Sequence, residues 1–215
     1  MTQLQPPPVP IDVLDQLEVL GVSRESRSRL DIFVSLLFRW QAQINLISPA
    51  TLPLVWHRHV LDSLQILPLL PKQATHIIDL GSGSGFPGLP LAIASGRHVD
   101  LYESNNKKCA FLSEALRQAK AIGTVHHLRL PLAFKPAAVR SGQIITARAI
   151  APLNELLSLA EPFFRAGATG LFHKGQDADT ELTEAQKYWK INYETHPSLT
   201  DSKAVILEVR EVSRV

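Results

Sequence analysis

The chain has 215 residues, 45% of them hydrophobic, enough to close the core of one sizeable domain, and its single cysteine excludes an intrachain disulfide or a paired-cysteine zinc site. A net charge of +2 does not by itself announce nucleic acid, and no apolar run approaches the ~20 residues of a membrane span. The start MTQLQPPPVP lacks a basic stretch followed by an apolar run, so a reducing, cytoplasmic setting is expected. Charge is nevertheless uneven: residues 76–150 hold nine basic against four acidic side chains, +5 net, while residues 151–215 carry −3. By itself this bias describes a solvated helix face near Lys107, Lys108, Arg117 and Lys120, and it gains meaning only if the same third holds the active site.

Residues 1–10 are polar and Pro-rich and predict a loose tail, followed by a short amphipathic helix over about Ile11 to Leu20 that Gly21 ends. Ser23 is an N-cap candidate for a long helix reaching about Asn45, with Leu30, Phe33, Val34, Leu37 and Phe38 on one stripe. HRHVLDSLQIL adds another helical piece before Pro68 and Pro71, which makes residues 1–72 a helical cap. From residue 73 onward short apolar runs alternate with amphipathic stretches. THIIDL, RHVDLYES, TVHHLRL, QIITARA, ATGLFHKG and finally KAVILEVREV predict strands; FPGLPLAIASG, Asn105 to Ala121, Pro152 to Ala160 and Ala178 to Tyr188 predict helices. Such alternation predicts an α/β fold, a mostly parallel sheet with helices on both faces, over residues 73–215.

Residues 79–93, DLGSGSGFPGLPLAI, lie where the first strand meets its helix and contain Gly81-x-Gly83-x-Gly85 together with Gly83-x-Gly85-x-x-Gly88. Such a turn lets a ligand approach the backbone and presents helix N-terminal N–H groups, without selecting a ligand. Asp79 discriminates: its carboxylate is expected to face the loop's occupant, where a dinucleotide pyrophosphate would meet a like charge and the ammonium of S-adenosylmethionine an opposite one, the alternative being a carboxylate that caps the loop's own N–H groups. Register agrees, since the sixth position counted from Gly81 is Phe86 rather than glycine. Glu103, 22 residues past Gly81 at the end of the second strand, can accept from ribose hydroxyls of either cofactor.

In order along the chain, INLIS, RHVLDS at 58–63, DLGSGSGFPGLPLAI, KKCAFL at 107–112, ITARAIAPL at 145–153 and HKG at 173–175 resemble the motifs of the RsmG (GidB) family, bacterial 16S ribosomal RNA guanine-N7 methyltransferases acting on the 530 loop. The resemblance implies a class I S-adenosylmethionine-dependent methyltransferase with a Rossmann-like core. It further implies that Gly81, Gly83, Gly85 and Phe86 line the donor pocket, Glu103 holds the ribose, Leu130 and Pro131 border the adenine, and Arg148 lies near donor and RNA. Arg129-Leu130-Pro131 departs from the family's Arg-Val-Glu or Arg-Ala-Glu, so a carboxylate is missing from that wall and Pro131 has no N–H to offer.

Guanine N7 already carries an in-plane lone pair, so no general base is expected, and Arg148 is assigned to orienting donor and guanine. Lys107, Lys108 and Lys174 are candidate RNA contacts, Lys174 reading equally as a surface cation in a salt bridge. His57, His59 and Asp62 do not suit a metal, since the two histidines point to different sides of a helix; His59 is expected instead in a hydrogen-bonded corner beside the loop. Cys109 is assigned to packing. The expected partner is 16S ribosomal RNA or the small ribosomal subunit, with neither membrane nor metal. Competing classes are an NAD(P)-dependent oxidoreductase and a non-catalytic RNA-binding or assembly factor with the same fold.

Overall fold

The computed structural model describes residues 5–129 and 142–215; Leu130 and Pro131 lie outside them. Seven strands form one sheet in the order β3-β2-β1-β4-β5-β7-β6. The parallel part is β1 (His76–Leu80), β2 (His98–Glu103), β3 (Gly123–His127), β4 (Ile144–Arg148) and β5 (Thr169–Lys174). β7 (Val205–Arg214) runs antiparallel to β5, and β6 (Trp189–Pro197) antiparallel to β7 at the edge. β6 is an element that the hydrophobic pattern did not announce. Only Trp189 of its nine residues is buried, so its alternation carries little apolar contrast.

The cap begins with α1 (Ile11–Val19) and α2 (Arg24–Gln41), where Ser23 accepts from the Ser26 N–H as N-cap. The predicted continuation of α2 to Asn45 does not occur. Gln41 folds back, its Oε1 accepting from the N–H groups of Leu46 and Ile47. A 3₁₀ turn (Pro49–Leu54), a π-helical stretch (Trp56–Leu61) and α3 (Asp62–Leu64) follow. Residues 5–10 are not the loose tail expected: Trp56 Nε1 donates to the Pro7 carbonyl at 3.0 Å, and His57 pairs with Asp12 at 2.7 Å.

α4 (Gly88–Ser95) and α5 (Asn106–Gln118, N-capped by the Asn105 side chain) cover one face of the sheet together with the cap. Their shared core runs from Val13 and Phe33 through Phe86 and Phe111 to Ile206, so cap and sheet bury one continuous apolar volume. α6 (Leu153–Arg165) and α7 (Ala178–Ala185) cover the other face over Ile78, Leu80, Phe163 and Trp189. Among the described residues no helix is long and apolar enough to cross a membrane.

Candidate active site

β1 is flanked by β2 on one side and β4 on the other, and chain connections leave in opposite directions there, which opens a crevice at the strands' C-terminal ends. A cavity of about 810 Å³ occupies it. Gly81, Gly83 and Phe86 of the loop, Tyr102 and Glu103 of β2, Lys108 of α5, Arg129, Arg148, and Ile150 line it. Leu46 and Ile47 of the cap and Asn154 and Leu159 of α6 complete the wall.

The loop is a backbone construction. Gly81, Gly83 and Gly85 take left-handed φ angles of 66°, 55° and 91°, and a Cβ on Gly81 would lie 2.4 Å from Ile150 Cδ1. The Gly83 N–H donates to Glu103 Oε2 at 2.8 Å and the Asn105 N–H to Oε1 at 2.7 Å. Glu103 therefore braces two loops before it meets any ligand. A carboxylate offers about four lone-pair sites, which leaves capacity for a diol. Gly85 is buried against Leu89 and Leu112 and shapes the turn instead of lining the cavity.

Asp79 requires a correction. Alternation along β1 places it on the Ile77 face, beneath the loop, where it is 1% exposed and absent from the cavity wall. Thr146 Oγ1 on β4 donates to Oδ1 at 2.7 Å, while Oδ2 has no well-formed partner and faces Gly88, so close that a Cβ there would come within 2.9 Å of it. The carboxylate thus sits at the positive end of α4. Burial pushes its pKa up to about 6, opposed by the hydroxyls of Thr146 and Ser82.

Opposite the loop, the 58–62 segment and the Phe86 ring close on Arg148. Its guanidinium donates to the Arg58 carbonyl at 2.9 Å, to Asp62 Oδ2 at 3.0 Å and to His59 Nδ1 at 2.8 Å, with Cζ 5.4 Å from the Phe86 ring centroid. Because Nδ1 accepts, the His59 proton is on Nε2, where it donates to Thr51 Oγ1 at 2.9 Å. Burial, reinforced by the Arg148 charge, lowers the His59 pKa to about 3, so the ring is neutral. Asp62 Oδ1 also accepts from Thr200 at 2.6 Å and Gln65 at 2.9 Å, tying the β6–β7 turn to the cap. Next to Arg148, Ala149 takes a φ of 53°, a conformation that costs a non-glycine residue on the order of 1 kcal/mol and persists where neighbours hold it.

A second cavity of about 440 Å³ adjoins the first across Arg148 and Ala149 and contains Arg58, Asp62, His173, Lys174 and Asp201. Lys174 is not the open RNA contact anticipated. Alternation turns it to the face opposite Arg148 and His173, where it is 8% exposed, pairs with Glu181 at 2.7 Å and donates to the Ala151 carbonyl at 3.3 Å. Lys107 is exposed on α5 and outside the cavity, whereas Lys108 reaches its wall. Cys109 is buried, its thiol directed at the Glu103 carbonyl. His57 pairs with Asp12, while His59 and Asp62 both bond Arg148, which places His59 in the hydrogen-bonded corner expected of it. Composition and spacing missed Tyr102, Ile150 and the cap residues Leu46 and Ile47; only the quoted INLIS stretch pointed near the last two.

The fold and crevice agree with what the chain resembles. Among solved structures, an O-methyltransferase described as SAM-dependent from Thermotoga maritima superimposes with a TM-score of 0.53 at 14% identity, covering 85% of this chain and 72% of that one. TYW2 of P. horikoshii, solved in complex with MeSAdo, gives 0.54 at 17% identity over 80% and 65% of the two chains. At these identities the likeness is one of fold. In sequence, "Ribosomal RNA small subunit methyltransferase G" of Methylorubrum extorquens is 50% identical over 90% of this chain and 92% of its own. The protein of the same name from Rhodopseudomonas palustris is 49% identical over 96% and 89%. The GidB model, rRNA small subunit methyltransferase G, matches residues 26–209, a span that holds the glycine loop, Glu103, the Arg148 corner and the strand pairing that aligns them. With that span matched and half of the residues shared with full-length relatives, the chain belongs to the GidB family.

Proposed function

We propose that this protein transfers a methyl group from S-adenosylmethionine to N7 of a guanosine in the 530-loop region of 16S ribosomal RNA, in the cytoplasm. Family membership supports the reaction class and the RNA. The observation that carries the site assignment is the 810 Å³ cavity floored by the glycine loop and walled opposite by Arg148. Its residues fit the donor: backbone N–H groups and positive-φ glycines admit a close approach, Glu103 has acceptor capacity for a ribose diol, and Tyr102, Leu128 and Ile150 give flat or apolar wall for a purine. The donor supplies a methyl group on a sulfonium, a strong leaving group.

The protein's own part is positional. N7 needs no proton removed, so holding it in line with the methyl at near-attack distance is the main work. In this reading Arg148, held from three sides, orients guanine and donor; Gly81, Gly83 and Phe86 shape the pocket; Gly85 and Asp79 build the loop from beneath. Leu130 and Pro131 remain assigned to the adenine border by resemblance. Lys107, Lys108 and Arg129, on the rim or near it, take phosphates. The cap (1–72) and core (73–215) act as one unit, because the cap supplies part of the donor wall.

The test is transfer of labelled methyl to 16S ribosomal RNA and to small subunits, with nucleoside mass spectrometry of the product. Label recovered as 7-methylguanosine supports the assignment; label in another nucleoside overturns the N7 claim. Titration with adenosylhomocysteine and with NADP(H) separates the oxidoreductase alternative. Donor and RNA binding without transfer would indicate the assembly-factor alternative.

A further inference from the structure

At the opposite end of the same strands lies a cluster that the methyl-transfer site does not use. His76 opens β1 and pairs in register with His98, which opens β2; two residues on, Asp100 is paired with Thr124 of β3, and Tyr102 with His126. With a side-chain period of two, all of these side chains stand on one face of the sheet, the face opposite α4 and α5. Ligand atoms from His76, His98 and Asp100 lie within 4.8 Å of one another. Asp100 Oδ1 is 3.4 Å from His98 Nε2 and 2.9 Å from His126 Nε2, so the carboxylate stands between two imidazoles.

We propose that His76, His98 and Asp100 form a binding site for one divalent metal ion of the zinc or cobalt type, with water completing the coordination and His126 bonded to Asp100 from behind. Imidazole nitrogen with one carboxylate oxygen is the donor set that such ions take, at ~2.0–2.2 Å in tetrahedral geometry. Ligand atoms around such an ion are roughly 3.4 Å apart. The observed spacing closes to that by side-chain rotation, because hydrogen-bonded parallel strands already hold the three ligand positions in adjacent rungs. The partners shown for Asp100 are imidazoles rather than an arginine or lysine, so no permanent cation of the protein occupies the position facing its carboxylate. His98 and Asp100 are 30% and 21% exposed and His76 is half-buried, open enough to admit an aquated ion.

Among the described residues the other grouping of this kind, Glu194, His196 and Glu208 on β6 and β7, differs in the point that matters. There Arg210 already bonds both carboxylates at 2.8 Å, so the cation position is filled by the protein.

Occupancy would pin β1 and β2 together, roughly 15 Å below the glycine loop along β1. It would also fix His126, whose ring stacks on Tyr102 at 4.5 Å, and Tyr102 is part of the donor cavity wall. The ion is structural, and donor affinity senses it only through Tyr102.

The experiment is a Co²⁺ titration of the untagged full chain at neutral pH, read by visible absorption and calorimetry, with Zn²⁺ as competitor. Wild type should bind one equivalent, give the intense visible bands of a four-coordinate site, lose them to Zn²⁺ and gain thermal stability. His98→Ala and Asp100→Asn should each weaken Co²⁺ binding by at least about tenfold. His57→Ala, at the Asp12 pair in the cap, should bind like wild type. Circular dichroism and adenosylhomocysteine binding identify folded variants, and His76→Gln serves as a milder substitute if His98→Ala does not fold. Absence of saturable Co²⁺ and Zn²⁺ binding below millimolar concentration, or equal binding by wild type and the folded variants, overturns the proposal.

Discussion

The glycine loop and the Arg148 corner face each other across one cavity and are built by opposite means. The loop is contiguous: three left-handed glycines within five residues, braced by Glu103 through two backbone N–H bonds. The corner is assembled from residues far apart in the chain, Arg148 and Asp62 being 86 positions apart and Asp62 and Thr200 138. A loop of backbone tolerates a changed neighbour more readily than a changed glycine. A network of charged side chains tolerates neither loss nor misplacement of its central member, because each partner would be left desolvated and unpaired. Donor binding should therefore depend on the first region, and transfer on the second.

The largest expected effect tests that division directly. Arg148→Ala should lower single-turnover methylation by on the order of 10²-fold while adenosylhomocysteine affinity falls by less than about tenfold. Equal losses in both would show that Arg148 belongs to the donor site alone, and wild-type turnover would remove it from the site. Gly81→Ala comes next, with the reverse profile. The new Cβ meets Ile150 and the backbone is left-handed, at a cost of about 1–3 kcal/mol that appears as lost stability and weakened donor binding. Adding Ile150→Ala should recover the steric part and leave the backbone part; no recovery in calorimetry would mean that Ile150 does not seat on Gly81.

The two regions also carry opposite proton linkages. Asp79, raised to about 6 from an ordinary 3.8, gives stability that is present below pH 4 and lost as pH rises towards 6. His59, lowered to about 3 from 6.5, gives stability present above pH 6.5 and lost as pH falls. Between about pH 4 and 6 these slopes, each on the order of 1 kcal/mol per pH unit, cancel. Denaturant midpoints across that window should fall with acid in Asp79→Asn and rise with acid in His59→Gln. The same slope in both variants would refute the paired assignment. The smallest effect concerns Lys174. Lys174→Met should leave the salt dependence of RNA binding unchanged, whereas Lys108→Ala should reduce its logarithmic slope by about one; a reduced slope for Lys174→Met would restore it as a phosphate contact.

What could be read from the sequence follows the same division. The strand-loop-helix order, the glycine pattern and Glu103 are local signals, and they appear where expected. Asp79 was half legible: the capping alternative lies close to its buried place at the α4 terminus, and its parity with Ile77 turns it away from the cavity. For Lys174, of the two readings the sequence offered, the salt bridge is the one formed, with Glu181 as partner. β6 was missed because a polar edge strand buries little and so carries weak apolar contrast. The RHVLDS stretch pointed to a hydrogen-bonded corner at His59 and Asp62, but the distant partner Thr200 had no local signature, being fixed by the packing of the β6–β7 turn on the cap.

The wall of the donor cavity begins at Leu46 and ends at Leu159. On a ribosome, where the chain emerges from its N-terminus, the pocket stays incomplete until α6 has cleared the exit tunnel, long after the cap helices can form. Affinity for adenosylhomocysteine in a series of stalled nascent chains should accordingly switch on late and within a narrow range of lengths. The ligand would then act as a clock for the moment when cap and sheet first share a core.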